Sequence, residues 1–360
     1  MTGNITPVTA HGGDILTYAL AHGGKTPLDF SANINPLGMP ASVKAAAIAA
    51  VDDCAAYPDP HCRMLRDALS RAEGLPREWF FCGNGAADVI FRLAVALKPR
   101  AALVTAPTFS EYEGSLNAVG CEVRRHALLE RDGFRVTDAI LGAADGADAV
   151  YVCNPNNPTG VLTPPELLLR LAERCAKSGA YLIVDECFND FIDAPEEYSV
   201  RRHLAAHSNI VILRSFTKLY AMPGVRLGYC ACADAGLMRR LYDAGPPWAV
   251  SGIAQACGIA ALGEREFARE SREYVARERS RLSDGLKALG FTVFDGAANY
   301  LLIISALKTD LAAELAARGI LIRTCGNYAG LDGTFYRAAV RSTEDNDALL
   351  KALKDITEGK

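Results

Sequence analysis

The sequence has no strong excess of charge: 38 lysines and arginines stand against 42 acidic residues, a formal net of -4. The basic residues are spread along the chain, so electrostatics predicts neither nucleic acid nor an anionic membrane as partner. It has no run of about 18 uninterrupted apolar residues of the kind that spans a bilayer, and no charged-then-apolar leader opens it. None of its eleven cysteines forms a C-x-x-C pair. Most sit in apolar runs such as Tyr151-Val-Cys153, where cysteine behaves as a small hydrophobe. Their odd number and the lack of a leader predict a reducing, cytoplasmic setting rather than a disulfide framework. Internal repeats, low-complexity segments and a metal-ligand spacing are also lacking. What is present is a chain of 360 residues, half of them hydrophobic, long enough for two lobes and apolar enough for a large core.

The middle of the chain alternates short β-branched runs with helical patterns. Ala101–Thr105, Asp148–Cys153, Tyr181–Asp185, Asn209–Leu213 and Arg226–Cys230 read as strands. Continuous apolar strands separated by helices predict an α/β fold with a mainly parallel sheet covered on both faces. Thr163-Pro-Pro-Glu166 opens a helix reaching Ser178, with proline in its first turn. After about residue 250 a long charged helix, Glu264–Leu289, precedes strands near Tyr300–Ile304 and Phe335–Val340, which suggests a smaller α+β lobe. The expected division is an arm with part of the small domain (1–40), a large domain (41–255) and a C-terminal small domain (256–360).

Ligands in such sheets gather at the carboxyl ends of the strands, and Asn154, Asp185 and Ser215 all fall there. Asp185 ends an apolar strand, a costly position for a carboxylate without a partner. Ser215-Phe-Thr217-Lys218 follows the next strand, and Arg226 stands eight residues beyond the lysine. Asn157 lies in the turn Asn154-Pro-Asn-Asn-Pro-Thr-Gly160, whose prolines stiffen it. Together these groups meet the demands of pyridoxal phosphate: an amine for its aldehyde, a carboxylate for its pyridine nitrogen, an amide for its ring oxygen, and hydroxyl and guanidinium groups for its phosphate. Gly83-Asn-Gly85-Ala86-Ala-Asp88 runs into an apolar helix whose first amides can hold an anion, although it lacks the third glycine of a dinucleotide fingerprint. Phe109 is placed to stack on a ring. Cys187, beside Asp185, is expected to be packing.

Ser215-Phe-Thr-Lys218 also matches the S-x-x-K of serine acyltransferases, but no Lys-Thr-Gly or Ser-Asp-Asn follows it. Toward the end of the chain, Arg323, Arg337 and Arg341 lie in apolar strand-like runs, where a guanidinium needs an anion. Arg337 and Arg341 are four apart and would share a face of one strand.

In this order and spacing the residues resemble the fold-type I pyridoxal-phosphate enzymes of the aspartate aminotransferase superfamily, over nearly the whole chain. Tyr57-Pro-Asp59, Asn154–Gly160, Ile322-Arg323 and Arg337 look like the branch of histidinol-phosphate aminotransferases and threonine-phosphate decarboxylases. His11-Gly-Gly-Asp14, Asp29–Gly38 (with Asn33 in it) and Ala339-Val-Arg341-Ser342 lean toward the decarboxylases. The resemblance implies a seven-stranded, mainly parallel sheet in the large domain and a homodimer with its active site at the subunit interface. It implies Lys218 and Asp185 as the catalytic pair. Gly85, Ala86, Phe109, Asn157, Ser215, Thr217, Arg226 and Tyr57 would hold the cofactor, Tyr57 that of a neighbouring subunit. Arg337 would bind the substrate carboxylate, Arg323 with His11 the substrate phosphate, and Asn33 and Asn157 would border the substrate. The implied reaction is decarboxylation of threonine phosphate in cobalamin biosynthesis, with transamination of histidinol phosphate or a related amine as the alternative. A DNA-binding regulator built on the same lobe is disfavoured, because the first 40 or so residues contain no basic recognition helix. Phe188 departs from the tyrosine that the superfamily often places three residues after the aspartate.

Overall fold

The computed structural model describes residues 11–359. Seven strands form the main sheet: β1 Phe80–Gly83, β2 Ala101–Ala106, β3 Glu122–Ala127, β4 Ala149–Cys153, β5 Tyr181–Asp185, β6 Ile210–Ser215 and β7 Gly228–Ala231, in the order β1-β7-β6-β5-β4-β2-β3. From β3 to β6 all neighbours pair in parallel; β7 runs antiparallel to β6 and to β1. Strands β4 and β6 are buried along their whole length, which is why they read as unbroken apolar runs. The four-residue β1 is too short for a periodic signal. The edge strand β3, Glu122-Val-Arg-Arg-His-Ala127, is too polar to read as one. Charged side chains at such an edge also discourage pairing with another chain.

The helix expected from Thr163 spans Pro165–Lys177 and buries Leu168, Leu171 and Ala172 on the sheet. The helix after β1, Ala86–Leu97, packs on the opposite face through Val89, Ile90 and Leu93. The second lobe contains the long helix Arg265–Ala288 and the antiparallel strands β8 Thr292–Val293, β9 Tyr300–Ile304, β10 Arg323–Thr324 and β11 Phe335–Ala339, ordered β10-β11-β9-β8. Its core joins Leu282 and Leu286 to Leu301, Leu349 and Phe30. Phe30 enters because Leu28–Asp29 pairs in parallel with Ile320–Leu321, so the early chain crosses to the far lobe before the main sheet begins.

Two local expectations need correction. Arg226 precedes β7 rather than opening it, and its backbone sits in the left-handed region at φ 63°. Arg341 lies beyond the end of β11 and does not share a strand face with Arg337. Its Nε meets Asp345 Oδ2 at 2.9 Å and its Nη1 donates to the Asp29 carbonyl at 3.0 Å, so its charge is used in joining the last helix to the early chain.

Candidate active site

Strands β4, β5 and β6 end side by side, with Cys153 in register with Asp185, and Asp185 with Leu213. Their carboxyl ends open into a cavity of about 460 Å3, lined also by His11, Gly12 and Ser31–Asn33 of the early chain and by Arg323, Tyr328 and Arg337 of the second lobe. Lys218, Asp185, Asn157, Ser215, Thr217, Arg226, Ala86, Phe109, His11, Asn33, Arg323 and Arg337 all line it. Two predicted residues do not. Gly85 lies just behind the wall, and Tyr57 is 83% exposed beside Trp248, with ring centroids 4.9 Å apart.

One end of the cavity is a cup for an anion. Ser215 ends β6 and caps the short helix Phe216–Leu219, its Oγ lying 2.7 Å from Thr217 Oγ1. Across from it begins the helix Ala86–Leu97, whose cap residue Gly85 has no side chain to occupy the first free amides. Gly85 has φ 84° and ψ 164°, a region essentially reserved for glycine. A Cβ there would stand 2.6 Å from Arg226 Nη2, and one on Gly228 would stand 2.4 Å from the Ala86 nitrogen. These two glycines allow the guanidinium and the helix start to approach each other. Amides, hydroxyls and a fork of N-H donors then converge on one spot.

At the cavity floor Asp185, 5% exposed, accepts from the Tyr112 hydroxyl at 2.5 Å and from the Cys187 amide at 2.9 Å. Burial, then the nearby carboxylate, holds the Tyr112 phenol well above its ordinary range, so it remains a donor. Asp185 has no cation paired to it among the described residues, which leaves a buried carboxylate facing the cavity. Glu186 points the other way, accepting from Ser199 Oγ at 2.7 Å and from the Val200 amide at 3.0 Å. Glu186 thus ties the strand end to the turn at Ser199, which caps the helical turn Val200–His203, and Asp185 is the acid of the pair that lines the site.

Lys218 is partly buried, and its Nζ makes no hydrogen bond or ion pair among the described residues. Burial, helped by the positive field of Arg337, lowers its pKa to about 8, so deprotonation is accessible near physiological pH. The Phe188 ring lies under it, 5.9 Å from Nζ, and packs edge-on against Tyr300. An aromatic wall thus stands where the superfamily often carries a hydroxyl.

Arg337 projects from β11 with 5% exposure. It donates to Asn157 Oδ1 and, at 2.7 Å, to the Ser31 carbonyl. The first bond orients the Asn157 amide, because an arginine can only donate; Asn157 Nδ2 is left without a partner among the described residues. Arg337 Nε and Asn33 Oδ1 are buried without a hydrogen bond, two polar atoms that a ligand would satisfy. Arg323 lies 5.4 Å from the Tyr328 ring centroid and donates to Asn327 at 3.0 Å. His11 Nε2 meets Glu111 Oε1 at 2.9 Å.

Sequence reading missed Tyr112, Glu111, Tyr328 and Ser31. Tyr112 and Glu111 open a helix with no distinctive pattern, and Ser31 contributes its backbone carbonyl, which has no sequence signature. The buried lone carboxylate, the amine of lowered pKa, the oriented amide and the anion cup fit pyridoxal phosphate group by group.

Residues 25–353 match the family described as aminotransferase class I and II, and the chain belongs to that family. It is 42% identical over 356 residues to the threonine-phosphate decarboxylase of Salmonella typhimurium, covering 98% of this chain and 97% of the relative. It is 34% identical to a histidinol-phosphate aminotransferase of Desulfitobacterium hafniense, covering 90% of each. The crystal structure of the histidinol-phosphate aminotransferase from Clostridium acetobutylicum superimposes with a TM-score of 0.87 at 30% identity, covering 92% of this chain and all of that one.

Proposed function

We propose that the chain is a pyridoxal-phosphate lyase that decarboxylates O-phospho-L-threonine to 1-aminopropan-2-yl phosphate, a step of cobalamin biosynthesis. The observation that carries this reading is the near-full-length 42% identity to a threonine-phosphate decarboxylase. The cavity supports it, because Arg337, Arg323, in register with it on the neighbouring strand, and His11 all line it, a set of donors suited to a small amino acid that carries both a carboxylate and a phosphate. The bound cofactor supplies an electron sink conjugated to the substrate nitrogen.

In this proposal the anion cup of Gly85, Ala86, Ser215, Thr217 and Arg226 holds the cofactor phosphate, Asp185 its ring nitrogen and Asn157 its ring oxygen, with Phe109 against its face. Arg337 Nε binds the substrate carboxylate. Arg323 and His11 bind the substrate phosphate, and Asn33 borders the carbon chain. Two anions fixed at opposite ends set the rotation of a short substrate, and the rotation selects which bond at Cα breaks. Arg337 would therefore fix the direction of the bond between Cα and the carboxylate. Lys218 then delivers a proton to Cα after carbon dioxide leaves. The low pKa of its amine suits it to that exchange. The aromatic walls of Phe109, Phe188 and Tyr328 keep water from competing.

The proposal includes the 41–255 and 256–360 division and a homodimer in which exposed Tyr57 reaches the cofactor phosphate of the neighbouring subunit. It also places the enzyme in a reducing cytoplasm, where its eleven free thiols persist. Transamination is the second reading, favoured by the histidinol-phosphate aminotransferase relatives.

The test is to incubate cofactor-loaded protein with O-phospho-L-threonine and no keto acid, following carbon dioxide and the amino-alcohol phosphate. Turnover supports the decarboxylase. Silence there, with 2-oxoglutarate-dependent consumption of histidinol phosphate, would establish the transaminase instead.

A further inference from the structure

Two carboxylates line the cavity. Asp185 has the role proposed above; Glu111 lines the cavity against His11, one of the two residues assigned to the substrate phosphate. A bare carboxylate there would repel a phosphate dianion. It is not bare: Glu111 Oε1 lies 2.9 Å from His11 Nε2, and that hydrogen bond holds the Glu111 carboxyl below its ordinary range. The imidazole therefore has one nitrogen engaged by an ionised acceptor, and Nδ1 is its remaining polar atom.

We infer that Glu111 is a positioning residue, which holds His11 as an imidazolium donating Nε2-H to the carboxylate and Nδ1-H to the substrate phosphate. A neutral ring already donating through Nε2 would turn the lone pair of Nδ1 toward the phosphate, and two acceptors repel. Only a ring that donates from both nitrogens satisfies both neighbours. The inference rests on the proposed function, because it assumes a phosphorylated substrate.

The backbone next to His11 is anchored so that the ring meets Glu111 rather than swinging free. Gly12 packs so closely on Ser31 that a Cβ would lie 2.1 Å from the Ser31 carbonyl oxygen. The Gly13 amide donates to Ser31 Oγ at 2.8 Å, and that hydroxyl donates to Asp29 Oδ1 at 2.5 Å. The same Ser31 carbonyl accepts from Arg337. One short segment thus places both His11 and the proposed carboxylate clamp, coupling the two anion-binding ends of the cavity.

The experiment uses holoenzyme as wild type, Glu111→Gln and Glu111→Asp. Steady-state turnover of O-phospho-L-threonine is measured beside calorimetric binding of the product, 1-aminopropan-2-yl phosphate, which keeps the phosphate and lacks the carboxylate. In Glu111→Gln, product binding weakens about tenfold, in line with loss of a charge-assisted hydrogen bond. KM rises by a similar factor and kcat falls far less, while Glu111→Asp recovers most of the product affinity. Unchanged product binding in Glu111→Gln overturns the inference, and tighter binding does so too, because it would make Glu111 a repulsive charge. A wild-type enzyme that neither turns over O-phospho-L-threonine nor binds the product would overturn the proposed function itself, and this inference with it.

Discussion

Replacing Lys218 with methionine removes the ammonium group and keeps a side chain of similar length in the same partly buried site. In the folded, cofactor-free protein the amine has a pKa of about 8, against an ordinary lysine value of 10.5, chiefly because burial penalises the charged form. Between those two values the unfolded chain binds a proton that the folded one releases, so raising the pH through that window favours folding. Below pH 8 both states hold the proton, and the buried charge then costs its full amount. At about 1.4 kcal/mol per pH unit, the interval from 10.5 down to about 8 amounts to about 3 kcal/mol. Lys218→Met should therefore stabilise the cofactor-free protein at pH 7 by up to about 3 kcal/mol, and the gain should shrink steadily between pH 8 and 10.5. Urea denaturation of cofactor-free wild type and variant at pH 7, 8.5 and 10 measures both the gain and its decline. A variant no more stable than wild type at pH 7, or a difference that does not change with pH, would refute the claim that this amine is strained by burial.

Other expectations concern the cavity walls. Gly85→Ala forces a Cβ into a glycine-only backbone region and against Arg226; cofactor affinity, followed by absorbance titration of the cofactor-free protein, should fall about ten- to a hundredfold, and wild-type affinity would mean that the cup is not where the phosphate sits. Tyr112→Phe removes a buried donor to a carboxylate and should destabilise the cofactor-free protein by about 1–3 kcal/mol; equal denaturation midpoints would show that the hydroxyl contributes nothing there. Arg337→Lys gives up the fork that reaches both Asn157 and Ser31 and should lower kcat/KM for O-phospho-L-threonine at least about 30-fold; undiminished turnover would remove Arg337 from the carboxylate site.

The amino-acid sequence by itself determined the chemistry of the cavity floor. Asp185, Ser215 and Lys218 belong to strand ends and the turns that follow them, where an apolar run stops and polar residues begin within one or two positions. Such a transition is local, so it is written in neighbouring residues. The long helix after residue 264 and the strands around residues 300 and 335 were legible for the same reason, each having its own period. Strands β1 and β3 were not legible: one is too short for a period and the other is a charged edge. Arg341 was misplaced because the end of a strand is set by its neighbour strand, not by its own residues. Tertiary structure alone decided the contacts that tune the site. Tyr112 reaches Asp185 across 73 residues and Arg337 reaches Asn157 across 180, while Glu111 meets His11 only because Gly12 can lie against Ser31. Each depends on how two lobes and an early segment dock, and docking over such separations follows from the packing of whole faces, which leaves no periodic mark on the residues that meet.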